Sequence, residues 1–162
     1  MSNVLVKNRT ISRYQFYTGF VDIMDKCYLY FYDMEKFSNG TYEILCVPLL
    51  QTLASIHQNI IIANGIYPIN DHEVMIRRDY QNIAINQLEW AMSWIEFIMR
   101  KIGLELEKDQ DLKTIVYSIH DEINHLKVWR KQNNSLMKKF RELNSDKDLG
   151  ISAAEAKLAI VK

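Results

Sequence analysis

The chain has 162 residues and a mass of 19.2 kDa, which is the size of a single domain. It is 48% hydrophobic with a formal net charge of zero, so it has the material for a core and is unlike an intrinsically disordered chain. Neutrality also argues against binding nucleic acid by bulk charge alone. Only five glycines and two prolines occur, which disfavours hairpin-rich β folds and favours long helices.

The cysteine content and the N-terminal sequence predict a cytoplasmic location. Two cysteines, Cys27 and Cys46, are too few for a disulfide framework and do not form a Cys-x-x-Cys pair. The first residues contain no apolar segment of the kind found in secretory signals. The longest apolar runs have four or five residues, which is much shorter than a bilayer span. We therefore expect no membrane partner.

Spacing of three and four residues between apolar side chains predicts a first helix. Ser12 and Gln15 form a Ser-x-x-Gln capping box at its start, and Asn39-Gly40 is expected to end it. Tyr17, Tyr28 and Tyr32 lie off the apolar stripe, so this helix is expected to make contacts on more than one side. The stripe consists of Phe16, Phe20, Ile23, Cys27, Tyr30, Phe31 and Met34.

A second helix is predicted from Tyr42 to Asn64. Pro48 lacks an amide hydrogen, so either the regular helix begins near it or the helix is kinked there. The segment from Asn64 to Pro68 is expected to end the helix. Its apolar face consists of Leu45, Leu49, Leu53, Ile56, Ile60 and Ala63.

The third helix has the clearest boundaries. Asn70 or Asp71, with Glu73 behind it, predicts an N-cap, and Gly103 predicts the C-terminal end. The predicted inward face consists of Tyr80, Ile83, Ala84, Leu88, Ala91, Ile95, Ile98 and Ile102.

A fourth helix follows the linker 105–111, and its apolar stripe fades after Trp129. The segment 145–150 is expected to break the helix. The predicted architecture is an all-α, up-down-up-down four-helix bundle over 12–144, with an N-terminal extension 1–11 and a C-terminal tail 145–162. The inward residues of the fourth helix are Leu112, Ile115, Val116, Ile119, Ile123, Leu126 and Trp129.

The residue patterns of common enzymes and metal sites are missing from the sequence. His120 and His125 are five residues apart, about 140° around a helix, whereas a zincin needs histidines four apart. Glu122 and His125 form a single Glu-x-x-His, but a di-iron bundle needs two, so a solvated pair is the favoured interpretation. No nucleophile motif or phosphate-binding glycine loop occurs. We predict no enzyme activity, no metal and no cofactor.

The zero net charge conceals a separation by segment. Residues 71–111 carry five basic and nine acidic side chains, whereas residues 112–144 carry seven and three. Six cations lie near the predicted end of the fourth helix. Cations at a helix C-terminus interact favourably with the helix dipole, but six are more than the dipole needs. Trp129 and Phe140 lie among them, which is typical of a phosphate-facing patch. Arg77 and Arg78 extend the patch if the fourth helix ends beside them. The six are Lys127, Arg130, Lys131, Lys138, Lys139 and Arg141.

Four segments together resemble a known family: Arg9–Tyr17, Ala63–Pro68, Arg77–Ala84 and Leu126–Asn133. They are similar to the accessory variability determinant proteins of diversity-generating retroelements, which are themselves similar to proteins encoded in 23S rRNA intervening sequences. The resemblance implies a non-enzymatic, homopentameric four-helix barrel that binds a reverse transcriptase and its template RNA, or an RNA/DNA hybrid, during mutagenic copying. The chain departs from the family in its neutrality and in its tail after Ser145.

The resemblance implies that Arg77, Arg78, Lys127, Arg130 and Lys131 contribute to the nucleic-acid surface. A homo-oligomer is also indicated by the extra tyrosines of the first helix and by the off-stripe Trp90 and Trp94, because isolated bundles seldom need aromatic side chains on additional faces. The alternative is a helical protein–protein interaction scaffold with no nucleic-acid role.

Overall fold

The computed structural model describes residues 19–33 and 36–160, and describes side chains as far as residue 142. The helices are α1 over residues 19–31, α2 (Asn39–Gly65), α3 (Asp71–Ile102) and α4 (Gln110–Ile160). No strand occurs in the part of the chain that the structure describes. The all-α prediction is confirmed.

The core is formed by the apolar faces of all four helices. The stripe predicted for α2 is buried throughout, and most of the stripes on α3 and α4 are buried as well. Ile83 is exposed (44%), and Tyr80, Ile102 and Val116 are partly buried. Gln81 and Ile85, which the pattern did not place in the core, are buried on the α3 turns next to Ile83.

The first helix ends earlier than predicted, and Asn39-Gly40 begins α2 instead of ending α1. Backbone amides of Lys36 and Phe37 donate to the carbonyl of Asp33, each at 3.1 Å, and close a turn. The Phe37 ring is then buried against Phe31, with 5.9 Å between ring centroids. Burying this ring offsets the loss of helical hydrogen bonds. The capping box at Ser12, the stripe residues Phe16 and Met34, and the off-stripe Tyr17 lie outside the described residues.

The Pro48 region of α2 contains a π-helical turn. The turn spans Tyr42–Cys46, and Pro48 occupies the first turn of the regular segment Val47–Gly65. Within the continuous helix Asn39–Gly65, Pro48 supplies no amide donor, and the π-helical turn directly before it is the local departure from regular helix. The carbonyl of Leu45 accepts a hydrogen bond from the indole Nε1 of Trp94 at 2.8 Å. Trp94 therefore has a partner within its own chain and does not require a second subunit.

Both ends of α3 are as predicted. The amide of Glu73 donates to Asn70 Oδ1 at 2.9 Å, and the Glu73 carboxylate accepts from the Ile69 amide at 2.7 Å. Gly103 ends the helix with a φ of 73°, and the following amide of Leu104 donates to the carbonyl of Met99. These contacts satisfy backbone groups that a helix end leaves without partners.

The fourth helix continues to Ile160, so the predicted break at 145–150 is wrong. Gly150 is the one strong helix breaker in the segment, and a single glycine inside a helix costs about 1 kcal/mol relative to alanine. The residues between Ser145 and Gly150 are compatible with a helix, so Ser145 and Gly150 at the two ends of the segment do not stop α4. The division into extension, bundle and tail stays a prediction.

Side-chain pairs show how α3 lies between α2 and α4. Gln87 is hydrogen-bonded to Ser55 and Asn59 of α2. On the other side, Lys127 Nζ lies 2.7 Å from Glu89 Oε1. Since Asn133 pairs with Gln81 and Lys127 with Glu89, ascending positions on one helix meet descending positions on the other, and α3 and α4 are antiparallel. The up-down-up-down order of the whole bundle stays a prediction.

Among the described helices, α2 has the length and composition of a membrane-crossing helix. Its most apolar 18-residue window has a mean hydropathy of 1.4, and 33% of that window is buried in the bundle. The short apolar runs in the sequence did not predict a helix of this length and mean hydropathy. A core helix of a soluble protein meets the same criteria, so α2 alone is weak evidence for a membrane span. The cytoplasmic location stays a prediction.

Candidate basic groove between α3 and α4

The register of α3 against α4 is set by two polar pairs. Asn133 Nδ2 donates to Gln81 Oε1 at 2.7 Å, with both side chains buried. One turn away, the Arg130 guanidinium donates to Asn82 Oδ1 at 3.0 Å. A buried hydrogen bond leaves unsatisfied groups when the helices slide past each other, so these pairs fix the axial position of one helix on the other.

Arg77 covers the indole ring of Trp129. Its guanidinium carbon lies 4.9 Å from the ring centroid, which is a cation–π arrangement. Trp129 itself is buried in the core. The predicted inward position of Trp129 is confirmed, so this indole is a packing element under a guanidinium and not part of an exposed phosphate-facing surface. Phe140 is partly buried.

Arg78 of α3 and two cations of α4 line one groove. The groove has a volume of about 430 Å³. The Arg78 Nε atom is buried and has no hydrogen-bond partner among the described residues, and Lys138 Nζ is 3.8 Å from Glu142. Guanidinium and ammonium groups donate charge-assisted hydrogen bonds to phosphate oxygens. The lining residues are Arg78, Asn134, Met137, Lys138, Arg141 and Glu142.

The other predicted site residues lie elsewhere. Arg77 and Arg130 are held in packing contacts with Trp129 and Asn82. Lys127 forms an ion pair with Glu89, and Lys131 and Lys139 are exposed outside the groove lining. The structure thus brings together three of the eight predicted cations: Arg78, Lys138 and Arg141.

The groove also contains polar and apolar residues that sequence reasoning missed. Asn134, Lys138 and Arg141 are spaced four and three residues apart, which places them on one face of α4. That spacing was visible in the sequence. Met137 and Glu142 complete the lining, and the carboxylate makes the groove less positive than a count of cations suggests.

Compensation of the helix dipole does not explain the basic cluster. The dipole effect is confined to about the last turn of a helix. Because α4 continues to Ile160, Lys138 and Arg141 lie several turns before its end. The cluster is therefore an interior feature of the helix, and stabilisation of the dipole, for which six cations were already too many, does not account for it.

The Glu122–His125 pair is solvated on one side only, because the His125 side chain is 65% exposed while Glu122 is buried. Glu122 is only 4% exposed, with Oε2 at 3.6 Å from His125 Nδ1. Burial raises the pKa of the Glu122 carboxyl above its ordinary value, although His125 acts in the opposite direction. A carboxylate is costly to bury with so little pairing. Among the side chains that the structure describes, in residues 19–33 and 36–142, no group of three or more His, Cys, Asp or Glu is arranged to hold a metal ion.

Both cysteines are buried, as the sequence predicted. Burial raises the pKa of the Cys27 thiol to about 12 and that of Cys46 to about 11. Thiols with such pKa values carry almost no thiolate at neutral pH and are poor nucleophiles.

Comparisons with known proteins do not identify a family for this chain. No protein-family model matches it, and neither a curated protein nor a solved structure matches it significantly.

Proposed function

We propose that this protein is a non-enzymatic accessory protein that binds a reverse transcriptase and its template RNA in a diversity-generating retroelement. The retroelement context and the reverse transcriptase come from the four segments that resemble the accessory variability determinant family. The observation that carries the RNA-binding part is the groove in which Arg78 of α3 meets Lys138 and Arg141 of α4.

The groove has the chemistry of a phosphate-backbone contact. Arg78 is partly buried and lines the groove, and a guanidinium donates charge-assisted hydrogen bonds to phosphate oxygens. Lys138 and Arg141 are exposed, and the pair between Lys138 and Glu142 at 3.8 Å is weak enough to be exchanged for a phosphate. Three such contacts on single-stranded RNA give a slope of log affinity against log salt of about −2.

The family resemblance also supports further parts of the proposal. The protein is a homo-oligomer, for which the resemblance implies five subunits. It acts in the cytoplasm, without a metal or cofactor, on RNA or an RNA/DNA hybrid. The off-stripe tyrosines support the oligomer: the rings of Tyr28 and Tyr32 are stacked at 5.1 Å, and both are about half exposed.

The RNA-binding part is tested by a charge-matched pair of triple variants. We expect replacement of Arg78, Lys138 and Arg141 by glutamine to weaken binding of a single-stranded RNA and to make the salt slope shallower by about two units. The control replaces three lysines outside the groove, one each in α1, in the linker before α4 and in the first turn of α4, and should bind like the wild type. Equal RNA binding by both triple variants would eliminate this groove as the site. The control changes are Lys26→Gln, Lys108→Gln and Lys113→Gln.

The reverse-transcriptase part needs a separate experiment. The gene neighbourhood should contain a reverse transcriptase together with near-identical template and variable repeats. The purified enzyme from that locus should form a stable complex with this protein in size-exclusion chromatography. If the neighbouring genes include no reverse transcriptase, the retroelement assignment fails, whereas RNA binding by the groove remains a separate question.

The second candidate function is a helical protein–protein scaffold. The observation that favours it is an aromatic surface on α3, where the exposed Trp90 and Phe97 lie on either side of the partly buried Trp94, each with 5.1 Å between its ring centroid and that of Trp94. If RNA mobility is unchanged at low salt while the protein still forms a complex with its partner protein, the scaffold is the better assignment.

A further inference from the structure

A cavity separate from the basic groove lies between α1, the turn that follows it and the start of α4. Its volume is about 360 Å³, which is in the range of sites that bind small molecules, about 300–1,000 Å³. It corresponds to roughly a dozen water volumes, so a single amino acid has room in it. The cavity is called the α1–α4 pocket below, and the residues that decide its chemistry are Lys26, Leu29, Tyr30, Asp33, Asp111 and Ile115.

Two close approaches show that α1 runs antiparallel to α4 beside the pocket. The Tyr30 hydroxyl donates to Asp109 Oδ2 at 2.6 Å, and a Cβ atom on Gly19 would lie 3.7 Å from Glu122 Oε2. Asp109 Oδ1 also accepts from the Leu112 amide at 3.0 Å, so both carboxylate oxygens of Asp109 already accept hydrogen bonds. The wall that Tyr30 forms is therefore held in place, and Asp109 is part of the fold and not of the ligand site.

The pocket is lined by equal numbers of cationic and acidic side chains. Lys26 and Asp111 are exposed, and neither forms an ion pair with another described residue. An anion in the pocket would also meet carboxylates, and a cation would also meet ammonium groups. A zwitterion presents each side chain with its opposite charge, which is the complementary arrangement. The four charged residues are Lys26, Lys36, Asp33 and Asp111.

Lys26 and Asp111 lie at nearby heights on the two helices. Interpolation between the two approaches described above puts Lys26 level with residues 113–114 of α4. That height is roughly 4 Å along the helix axis from Asp111, since a helix rises about 1.5 Å per residue. The α-ammonium and α-carboxylate groups of an amino acid are bonded to one carbon atom, so one ligand reaches both side chains.

Apolar side chains form a second part of the lining. Leu29 is 75% exposed, whereas Ile115 is buried, and both line the pocket together with Tyr30. Lys36 Nζ lies 4.1 Å from the centroid of the Tyr30 ring, so this ammonium group is already held in a cation–π contact. A ligand side chain that packs on Leu29 and Ile115 removes apolar surface from water. The pocket thus favours a zwitterion that carries an apolar side chain.

We propose that the α1–α4 pocket binds a free amino acid with an apolar side chain. Asp111 accepts hydrogen bonds from the α-ammonium group, and Lys26 donates to the α-carboxylate. The ligand side chain packs on Leu29 and Ile115. This inference goes beyond the proposed RNA-binding function and uses none of the residues of the basic groove. Ile115 and Asn134 are 19 residues apart in α4, which is about 28 Å along the helix, so the two sites are separate.

Isothermal titration calorimetry of the full chain tests the ligand chemistry. L-leucine at neutral pH is expected to bind with one site per chain. N-acetyl-leucine lacks the ammonium group and leucinamide lacks the carboxylate, so each should bind at least about tenfold more weakly, as expected for the loss of a charge-assisted hydrogen bond. Glycine lacks the apolar side chain and should also bind more weakly. No saturable leucine binding at millimolar concentrations, or equal binding of leucine and N-acetyl-leucine, would overturn the proposal.

Variants of the pocket test the assigned residues. Asp111→Asn and Lys26→Gln should each weaken leucine binding by about tenfold or more, whereas Lys26→Arg keeps the cation and should retain binding. Asp121→Asn is the matched control, because Asp121 is an exposed acid of α4 outside the pocket. Circular dichroism of each variant shows that the helices are retained. Leucine binding by Asp111→Asn that equals binding by Asp121→Asn would contradict the assignment.

The groove variant checks that the two sites are separate. The protein with Arg78, Lys138 and Arg141 replaced by glutamine should bind leucine like the wild type, since none of these residues lines the α1–α4 pocket. Loss of leucine binding in that variant would place the ligand at the basic groove and overturn the pocket assignment. Unchanged leucine binding together with weakened RNA binding would support both sites.

Discussion

The buried pair of Gln81 and Asn133 is expected to be worth more than its single hydrogen bond. Both side chains are almost fully buried, and their contact at 2.7 Å joins α3 to α4. The Gln81 Nε2 atom already lacks a partner among the described residues. Asn133→Ala leaves Gln81 Oε1 without its donor as well, so the remaining amide is buried with both ends unsatisfied.

The expected cost of Asn133→Ala is about 1–3 kcal/mol, the penalty for one unsatisfied buried polar group. For a chain of this size that lowers Tm by roughly 2–4 °C for each kcal/mol. The double variant Gln81→Leu/Asn133→Leu removes both polar groups and keeps similar volume. It should recover most of the loss, because replacing both partners by apolar groups can be nearly neutral.

Urea unfolding of the wild type, Asn133→Ala and the double variant forms the assay. All three proteins are compared at one concentration, because association shifts apparent stability. Similar m-values would indicate that the same surface is exposed on unfolding. If Asn133→Ala costs no more than the double variant, the penalty for an unsatisfied Gln81 is absent and the reasoning about this pair is wrong.

Three further predictions concern backbone conformation, pH and thiol reactivity. Gly103→Ala should lower the unfolding free energy by about 1–2 kcal/mol, because the φ of Gly103 is 73°. Gly65→Ala in α2 should raise the unfolding free energy by about 0.4–1 kcal/mol. Equal effects of the two substitutions in thermal melts would contradict this prediction. The pKa of the Glu122 carboxyl is raised in the folded protein, so this group loses its proton at a lower pH in the unfolded chain than in the folded one. The free energy of unfolding should therefore fall as pH rises above about 4.3. Glu122→Gln should lessen that fall, and a urea midpoint with the same pH dependence in both proteins would argue against it. Cys27 and Cys46, with thiol pKa values of about 12 and 11, should react with a thiol reagent only after unfolding, so fast labelling of the native protein would show that they are accessible.

Features decided by near neighbours in the chain were predictable. The cap formed by Asn70 and Glu73 and the end at Gly103 each depend on residues within about one helical turn. The same applies to the buried face of α2. The predicted helix ends at Asn39-Gly40 and at 145–150 are wrong. Phe37 is buried in the turn that follows α1, and α4 continues through segment 145–150. Local helix preference is too weak to decide such ends, because it amounts to about 1 kcal/mol for each residue.

The candidate groove was only partly predictable for a related reason. The sequence identified the cations, and it placed Arg78 near the basic part of α4 from the geometry of a bundle. It could not show that Lys127 is paired with Glu89 or that Arg130 is bonded to Asn82. Those contacts depend on the axial register of two helices, which the buried amides of Gln81 and Asn133 set.

The sequence by itself determined the helical periodicity and the order of the charges along the chain. The periodicity gives an all-α chain, and the order of the charges resolves the zero net charge into acidic and basic segments. The tertiary structure decided which of those charges meet. It placed three cations around one groove, buried the Glu122 carboxylate and exposed Ile83 on the outer side of α3. The physical reason is that periodicity defines the faces of a helix, whereas burial and pairing depend on which neighbouring helix covers each face, and at what height.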